Sequence, residues 1–448
     1  MRVDRTFLTL LLFVSNYVCA FPGQGNAQIV MPPIEVSPQG DMSAFSTPMA
    51  YFNGCLVLAH VVSPDAQTRP NYLRTTVRVG CPDASGSWLW KSSTLDRATL
   101  FDPYHTQPSV AVDRVGFIHV VYNMHHFPWQ YSVSRSPMNV DSFEFAGEEF
   151  TFDAREMARV QNKTHFPSIG AARIPGSQIT YPSFFKNRNG DLFVSYRYAL
   201  KPARPWGERA YAYGLAGYDV SRRIWIQHGA EIELTVGDAL EANKKSGIKT
   251  SPFVFDSHYI PYVMKFGFDK DNGLHAIWTW WDAGSGRTGE YTISPSYRYV
   301  ADVSAPMSLV DFSSSEKIPG WSDETVFNTA KDMVVKENGD VLAILEPRGA
   351  VRKIVRREFS SGRWSAAESA PNSASKILVT SSGEEWVFAA GPTLFVRKEG
   401  GGWSRPLKLS EGWCQPYPIY VDRENAFYIH AKKCDDFGKA IVIKYFVE

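Results

Sequence analysis

An all-β chain folded as a single-domain, seven-bladed β-propeller is the architecture this sequence predicts, and three observations predict it. A strand–turn–strand unit recurs seven times along 448 residues. Tryptophan-bearing segments follow several copies at the distance of an outer strand. The composition suits many short strands joined by turns, with 14% aromatic residues, 33 Gly and 28 Pro. Radially repeated sheets produce this kind of spacing.

Taken in chain order, the copies turn at Gly54, Gly116, Gly190, Gly273, Gly339, Gly383 and Asn425. Their Asn-Gly and Asp/Asn-rich turns supply the positive φ that tight hairpins need. Arg223-Ile224-Trp225, Gly362-Arg363-Trp364 and Gly402-Trp403 read as outer-strand signals. The longest spacings, Gly116 to Gly190 and Gly190 to Gly273, leave room for loops over one face. Gly207–Tyr213 and Ala239–Ser251 are the expected loops, the second with a short helix. A pair of β-sandwiches is the alternative architecture, and the number of similar units argues against it. No linker or second domain is visible.

The charge balance, 47 basic against 46 acidic residues, offers no basic field for nucleic acid. Arg2 and Arg5 precede an apolar run from Phe7 to Val18, and Val18-Cys19-Ala20 resembles a cleavage site. Residues 1–20 therefore read as an export signal and 21–448 as the propeller, secreted or periplasmic. Cleavage after Ala27 is the second choice, and a lipid anchor on Cys19 fits poorly. No later segment has the roughly 18 uninterrupted apolar residues of a membrane span. The remaining Cys55, Cys81, Cys414 and Cys434 pair most simply as Cys55–Cys81 and Cys414–Cys434. Four buried thiols are the alternative; zinc is disfavoured, since no Cys-x-x-Cys spacing occurs.

Two copies match closely. Tyr104-His105-Thr106-Gln107-Pro108-Ser109 leads to Gly116-Phe117-Ile118-His119-Val120 and ends at Asn123-Met124-His125. Thr180-Tyr181-Pro182-Ser183 leads to Gly190-Asp191-Leu192-Phe193-Val194 and ends at Tyr196-Arg197. A hairpin returns the chain to the end where it began, so His105, His125, Tyr181 and Arg197 are expected at one rim. His119 and His275, inside apolar strands, read as structural. Tyr181 is expected in extended geometry, because Pro182 follows it. Arg197 taken alone would be a solvated strand-end charge.

Together, two imidazoles, a phenol and a guanidinium suit elimination from a uronic acid. The C5 proton becomes acidic when a cation neutralises the adjacent carboxylate and stabilises the developing enolate. A His or a deprotonated Tyr can take that proton, and a Tyr or His can protonate the departing oxygen. Hydrolysis needs two carboxylates flanking the bond, and Asp102 is the nearest acidic candidate. No metal or cofactor is required.

On these motifs the chain resembles the BNR-repeat β-propeller family that includes the ulvan lyases. The resemblance runs from about Phe101 to Asp282, with the spacings His105 to His125 and Tyr181 to Arg197. It implies a polysaccharide lyase for an acidic, uronic-acid-containing polysaccharide, ulvan first; a monomer is expected. By it, His105 and His125 line the catalytic centre, Tyr181 is the acid/base and Arg197 neutralises the carboxylate. Asn123, His258, Tyr259 and Tyr262 are the implied substrate contacts. After His275 the relatives continue with Trp-Arg and an Asn-His element, whereas this chain reads Trp278-Thr279-Trp280-Trp281-Asp282. No metal ligands are carried over for that reason.

Alternatives stay open. A related propeller could cleave terminal rhamnose–glucuronate linkages by elimination or hydrolysis. A non-catalytic glycan-binding platform would use rim aromatics such as Trp129 and Trp206. A sialidase is disfavoured by the absence of Ser-x-Asp-x-Gly-x-Thr-Trp boxes.

Overall fold

A computed structural model describes residues 27–37, 45–63, 73–99, 105–147, 177–199, 211–234, 248–282, 292–322, 324–391, 393–398, 401–404, 406–408, 411–435 and 437–447. The export signal, Asp102, Tyr104 and Trp206 lie outside these residues.

Every copy of the turn unit forms the hairpin between the first two strands of one blade, and the seven hairpins give seven sheets. Blade 1 comprises Met49–Phe52, Cys55–Val62, Leu73–Pro82 and Trp88–Thr99. Blade 2 comprises Ser109–Val112, Ile118–Val121, Tyr131–Ser134 and Phe143–Phe145. Blade 3 comprises Ser177–Lys186, Leu192–Ala199, Tyr211–Asp219 and Ile224–His228. Blade 4 runs from Tyr259–Phe268 to Glu316–Lys317, blade 5 from Phe327–Val335 to Glu368–Ser369, and blade 6 from Ala374–Val379 to Leu407–Lys408. Blade 7 holds Trp413–Val421, Ala426–Lys433 and Lys439–Phe446. Its outer edge is filled by Ala27–Glu35, which pairs antiparallel with Lys439–Phe446. First strands of successive blades touch in order, and the last touches the first, so the ring closes.

The chain adopts this fold because its strands are apolar on both faces. In blade 3, Leu192 and Val194 pack into the seam with blade 2, while Phe193 between them packs into the seam with blade 4. Period-two alternation with two buried faces reads as an unbroken apolar run. Each seam has its own cluster of this kind. Burying one Leu, Ile or Phe side chain contributes about 1.5–3 kcal/mol. The turns carry the required backbone: Gly116 and Gly190 have φ of 97° and 79°, and Asn425 has φ of 43°.

Both disulfides form. Cys55–Cys81 joins the second and third strands of blade 1, and Cys414–Cys434 ties the first strand of blade 7 to the residue beyond its second. The buried histidines have full accounts. His119 Nδ1 is 2.7 Å from the Tyr131 hydroxyl and its Nε2 3.3 Å from Asp113. His275 repeats this with Tyr297 at 2.8 Å and Asp269 at 3.3 Å. Each aspartate also caps its hairpin, accepting main-chain N–H groups of Val115 and Phe117, or of Asp271 and Gly273.

Two loop expectations are corrected. Tyr211–Tyr213 belong to the third strand of blade 3, held by pairing on both sides. Ile248–Thr250 form a strand paired with Ile232–Leu234; residues 207–210 and 239–247 lie outside the described residues. Among the described residues no helix is long and apolar enough to cross a membrane.

Candidate active site

Blade 3 gathers the predicted residues because blade 2 lends it a strand. After Val121 the chain leaves blade 2, turns through Asn123 (φ 54°) and lays His125–Phe127 along the first strand of blade 3. Asparagine tolerates that left-handed backbone. Thr180 consequently pairs with His125 on one side and Arg197 on the other, and Arg197 pairs in turn with Tyr213. Four neighbouring strands thus present His125, Thr180, Arg197 and Tyr213 in one row. Tyr181 is the next residue, on a bulge where the register slips between Thr180 and Ser183.

Tyr181 departs from expectation. Its φ is +59°, not the extended value that Pro182 favours, because the bulge turns the backbone locally. A bulky residue in this region is strained, and such strain persists where the surroundings over-determine it. Tyr262 sits at the matching register slip in the first strand of blade 4, between Tyr262 and Lys265. The two phenol oxygens are 3.2 Å apart and the rings meet edge to face.

Arg197 is the second correction. It lies within the strand Leu192–Ala199 and is only 2% exposed, so it is no solvated strand end. Its guanidinium carbon lies 4.8 Å from the Tyr181 ring centre, 4.7 Å from that of Tyr211 and 5.4 Å from that of Tyr262. No carboxylate among the described residues pairs with it, and its Nε is buried without a hydrogen-bond partner. A cation buried in that state is costly unless an anion joins it; contacts with three aromatic rings offset part of the cost.

His105 and His125 stack with 3.9 Å between ring centroids, and His105 lies 5.9 Å from Tyr181. Both imidazoles are half-buried. Burial, the neighbouring Tyr262 and its hydrogen bond push the Tyr181 phenol well above the ordinary tyrosine range, the Arg197 charge opposing. Tyr213, fully buried beside them, is pushed up to about 12 by burial. Both phenols are therefore protonated at neutral pH.

Of the implied substrate contacts, Tyr262 joins the cluster and Asn123 is buried at the turn into it. Tyr259 stacks instead on Phe312 at 3.9 Å, and His258 is exposed in a turn whose N–H groups bond to Asp256. Trp129 is fully buried against Tyr196, so it is not a rim platform.

Sequence reasoning missed Phe45, stacked on Tyr181 at 4.5 Å, as well as Tyr211 and Tyr213. Nothing local marks Phe45, whereas the alternation Tyr211-Ala212-Tyr213 was a strand signal. A groove of about 710 Å³ lies elsewhere, between the outer strands of blades 1 and 2, lined by Arg97, Tyr122 and Phe145 among others. It contains none of these residues, so the buried charge rather than this groove marks the candidate site. Among the described residues no group of three or more His, Cys, Asp or Glu could hold a metal ion.

The molecule is thus a seven-bladed β-propeller with a buried, aromatic-walled cationic centre at one blade seam. Residues 74–342 match the BNR repeat-containing family, and the chain belongs to it. No curated protein matches the chain. Among solved structures, the polysaccharide lyase Uly1 is similar at 13% identity with a TM-score of 0.60, over 92% of each chain. An ulvan lyase of family PL25 bound to -[GlcA(1-4)Rha3S]- is similar at 11% identity with a TM-score of 0.55. That match covers 93% of this chain and 96% of the other. At such identities the likeness is one of fold.

Proposed function

We propose that this protein is a polysaccharide lyase that cleaves a uronic-acid-containing polysaccharide by β-elimination, with ulvan as the first candidate. The observation that carries the reading is Arg197, a buried cation walled by three tyrosines and lacking a carboxylate partner among the described residues. A uronate carboxylate supplies the missing anion, and the planar guanidinium matches it in shape and charge.

With the carboxylate neutralised, the C5–H bond breaks toward an imidazole of the His105–His125 pair. The electron pair forms the C4–C5 double bond as the C4–O bond breaks, and the departing oxygen takes a proton from Tyr181. Burial supports the acid role for Tyr181, since it keeps the phenol protonated. Tyr262, within hydrogen-bond reach of Tyr181, orients that proton. The imidazolium and the phenolate then exchange their protons with solvent, restoring the starting state.

Similarity to lyases of the same fold is consistent with this reading. The test is digestion of ulvan in water enriched in oxygen-18, read by mass spectrometry. Elimination leaves the heavy isotope out of the fragments, whereas hydrolysis adds one heavy oxygen per cleavage and would overturn the proposal.

A further inference from the structure

The repeated Pro-Ser motif has a use that the chemistry above leaves unexplained. Ser109, from the copy that carries the histidines, is fully buried at the seam of blades 2 and 3. Its hydroxyl donates to the Pro182 carbonyl at 2.7 Å, one residue beyond the left-handed Tyr181. The same oxygen accepts the Thr47 N–H at 2.9 Å. Thr47 in turn accepts the Val110 N–H at its carbonyl and the Phe184 N–H at its hydroxyl. Ser183, the partner serine in the second copy, donates to the Phe45 carbonyl at 3.3 Å. The Phe45 ring then lies on Tyr181 at 4.5 Å with 22° between planes, and 6.3 Å from His105.

Both serines thus fasten the segment 45–47 and the Tyr181 bulge to one another. Without these bonds a Tyr-Pro step at positive φ would relax toward extended backbone. We infer that Ser109 and Phe45 are positioning residues for Tyr181: Ser109 locks the bulge through the Pro182 carbonyl, and Phe45 backs the phenol ring so that it faces Arg197 and Tyr262. This rests on the proposed lyase reading for its catalytic consequence, not for its structural one.

The experiment uses the full chain with Ser109→Ala and, separately, Phe45→Ala; Phe45 is half-exposed, which makes its replacement tolerable to folding. Hydrogen exchange of the segment 179–185 is followed by mass spectrometry, alongside kcat and KM on ulvan. Both variants are expected to exchange faster there while the other blades keep their protection. The expected fall in kcat is about tenfold to a hundredfold, the scale of a displaced catalytic group, with KM changed less than about twofold. Unchanged exchange at 179–185 would overturn the inference, as would uniform loss of protection in every blade. If the chain proves to have no elimination activity, the exchange result alone still decides the positioning role.

Discussion

His105 and His125 lie ring on ring, 3.9 Å apart and 17° from parallel, although His105 precedes blade 2 and His125 begins the strand lent to blade 3. A stacked pair is expected to act as a unit, because each ring packs on a face of the other. We expect His105→Ala and His125→Ala each to lower kcat/KM by about 10²–10⁴, the range for a lost acid–base group. The double variant should fall no more than about tenfold below the weaker single one, since residues acting together are strongly non-additive. Steady-state kinetics of the three variants checks this.

Arg197 is held at a desolvation cost that its aromatic contacts offset only in part and that a bound anion would recover. Replacing it by methionine should abolish elimination and raise the midpoint of thermal unfolding, by about 1 kcal/mol or more of stability, as apolar replacement of buried ionic groups does. Calorimetry of the apo proteins tests this. A variant less stable than the parent would mean that cation–π contacts outweigh desolvation.

The titration of the buried phenols gives a pH signature. Tyr181 and Tyr213 have raised pKa values in the folded chain, chiefly through burial. The folded state therefore holds these protons more tightly than the unfolded one. Their contribution to stability is complete below the ordinary tyrosine pKa of about 10 and is lost as pH rises beyond it. Activity that depends on protonated Tyr181 should likewise persist up to about pH 10. Tyr181→Phe should fold normally and lose about 10²–10⁴ in kcat. Pairing pH–rate profiles with unfolding midpoints from pH 8 to 11 checks all three statements.

How far the sequence carried this reading depends on where each residue gets its geometry. The seven blades were legible because their hairpins repeat in sequence and their turns need Gly or Asn at positive φ. His105, His125, Tyr181 and Arg197 could be placed at one rim because hairpins return to their starting end. Burial was not legible: Arg197 looked like a strand-end charge, yet Tyr181, Tyr211 and Tyr262 come from three separate strands to enclose it. The left-handed Tyr181 was invisible for a similar reason, since Ser109 and Phe45, distant in sequence, impose it against the preference set by Pro182. Tyr259 sat near Tyr262 in sequence, and only the structure shows its ring on Phe312.

The paired Asp–His–Tyr sets in blades 2 and 4 predict stability without catalysis. Burial lowers the pKa of His119 and of His275, with Asp113 and Asp269 opposing. Folded-state values below the ordinary histidine range mean that their contribution is present above about pH 6.5 and is lost as pH falls. His119→Ala should cost about 2 kcal/mol or more by leaving Asp113 and Tyr131 without their partner. It should leave kcat on ulvan unchanged. Denaturant titration with parallel kinetics separates the two effects.

The most direct measurement is ultraviolet absorbance of ulvan incubated with the purified chain, beside Arg197→Ala. Elimination with Arg197 as the carboxylate partner predicts a rising unsaturated-uronate signal that the variant abolishes while keeping its fold. New reducing ends with a flat absorbance trace, or an undiminished rise in the variant, would contradict the account.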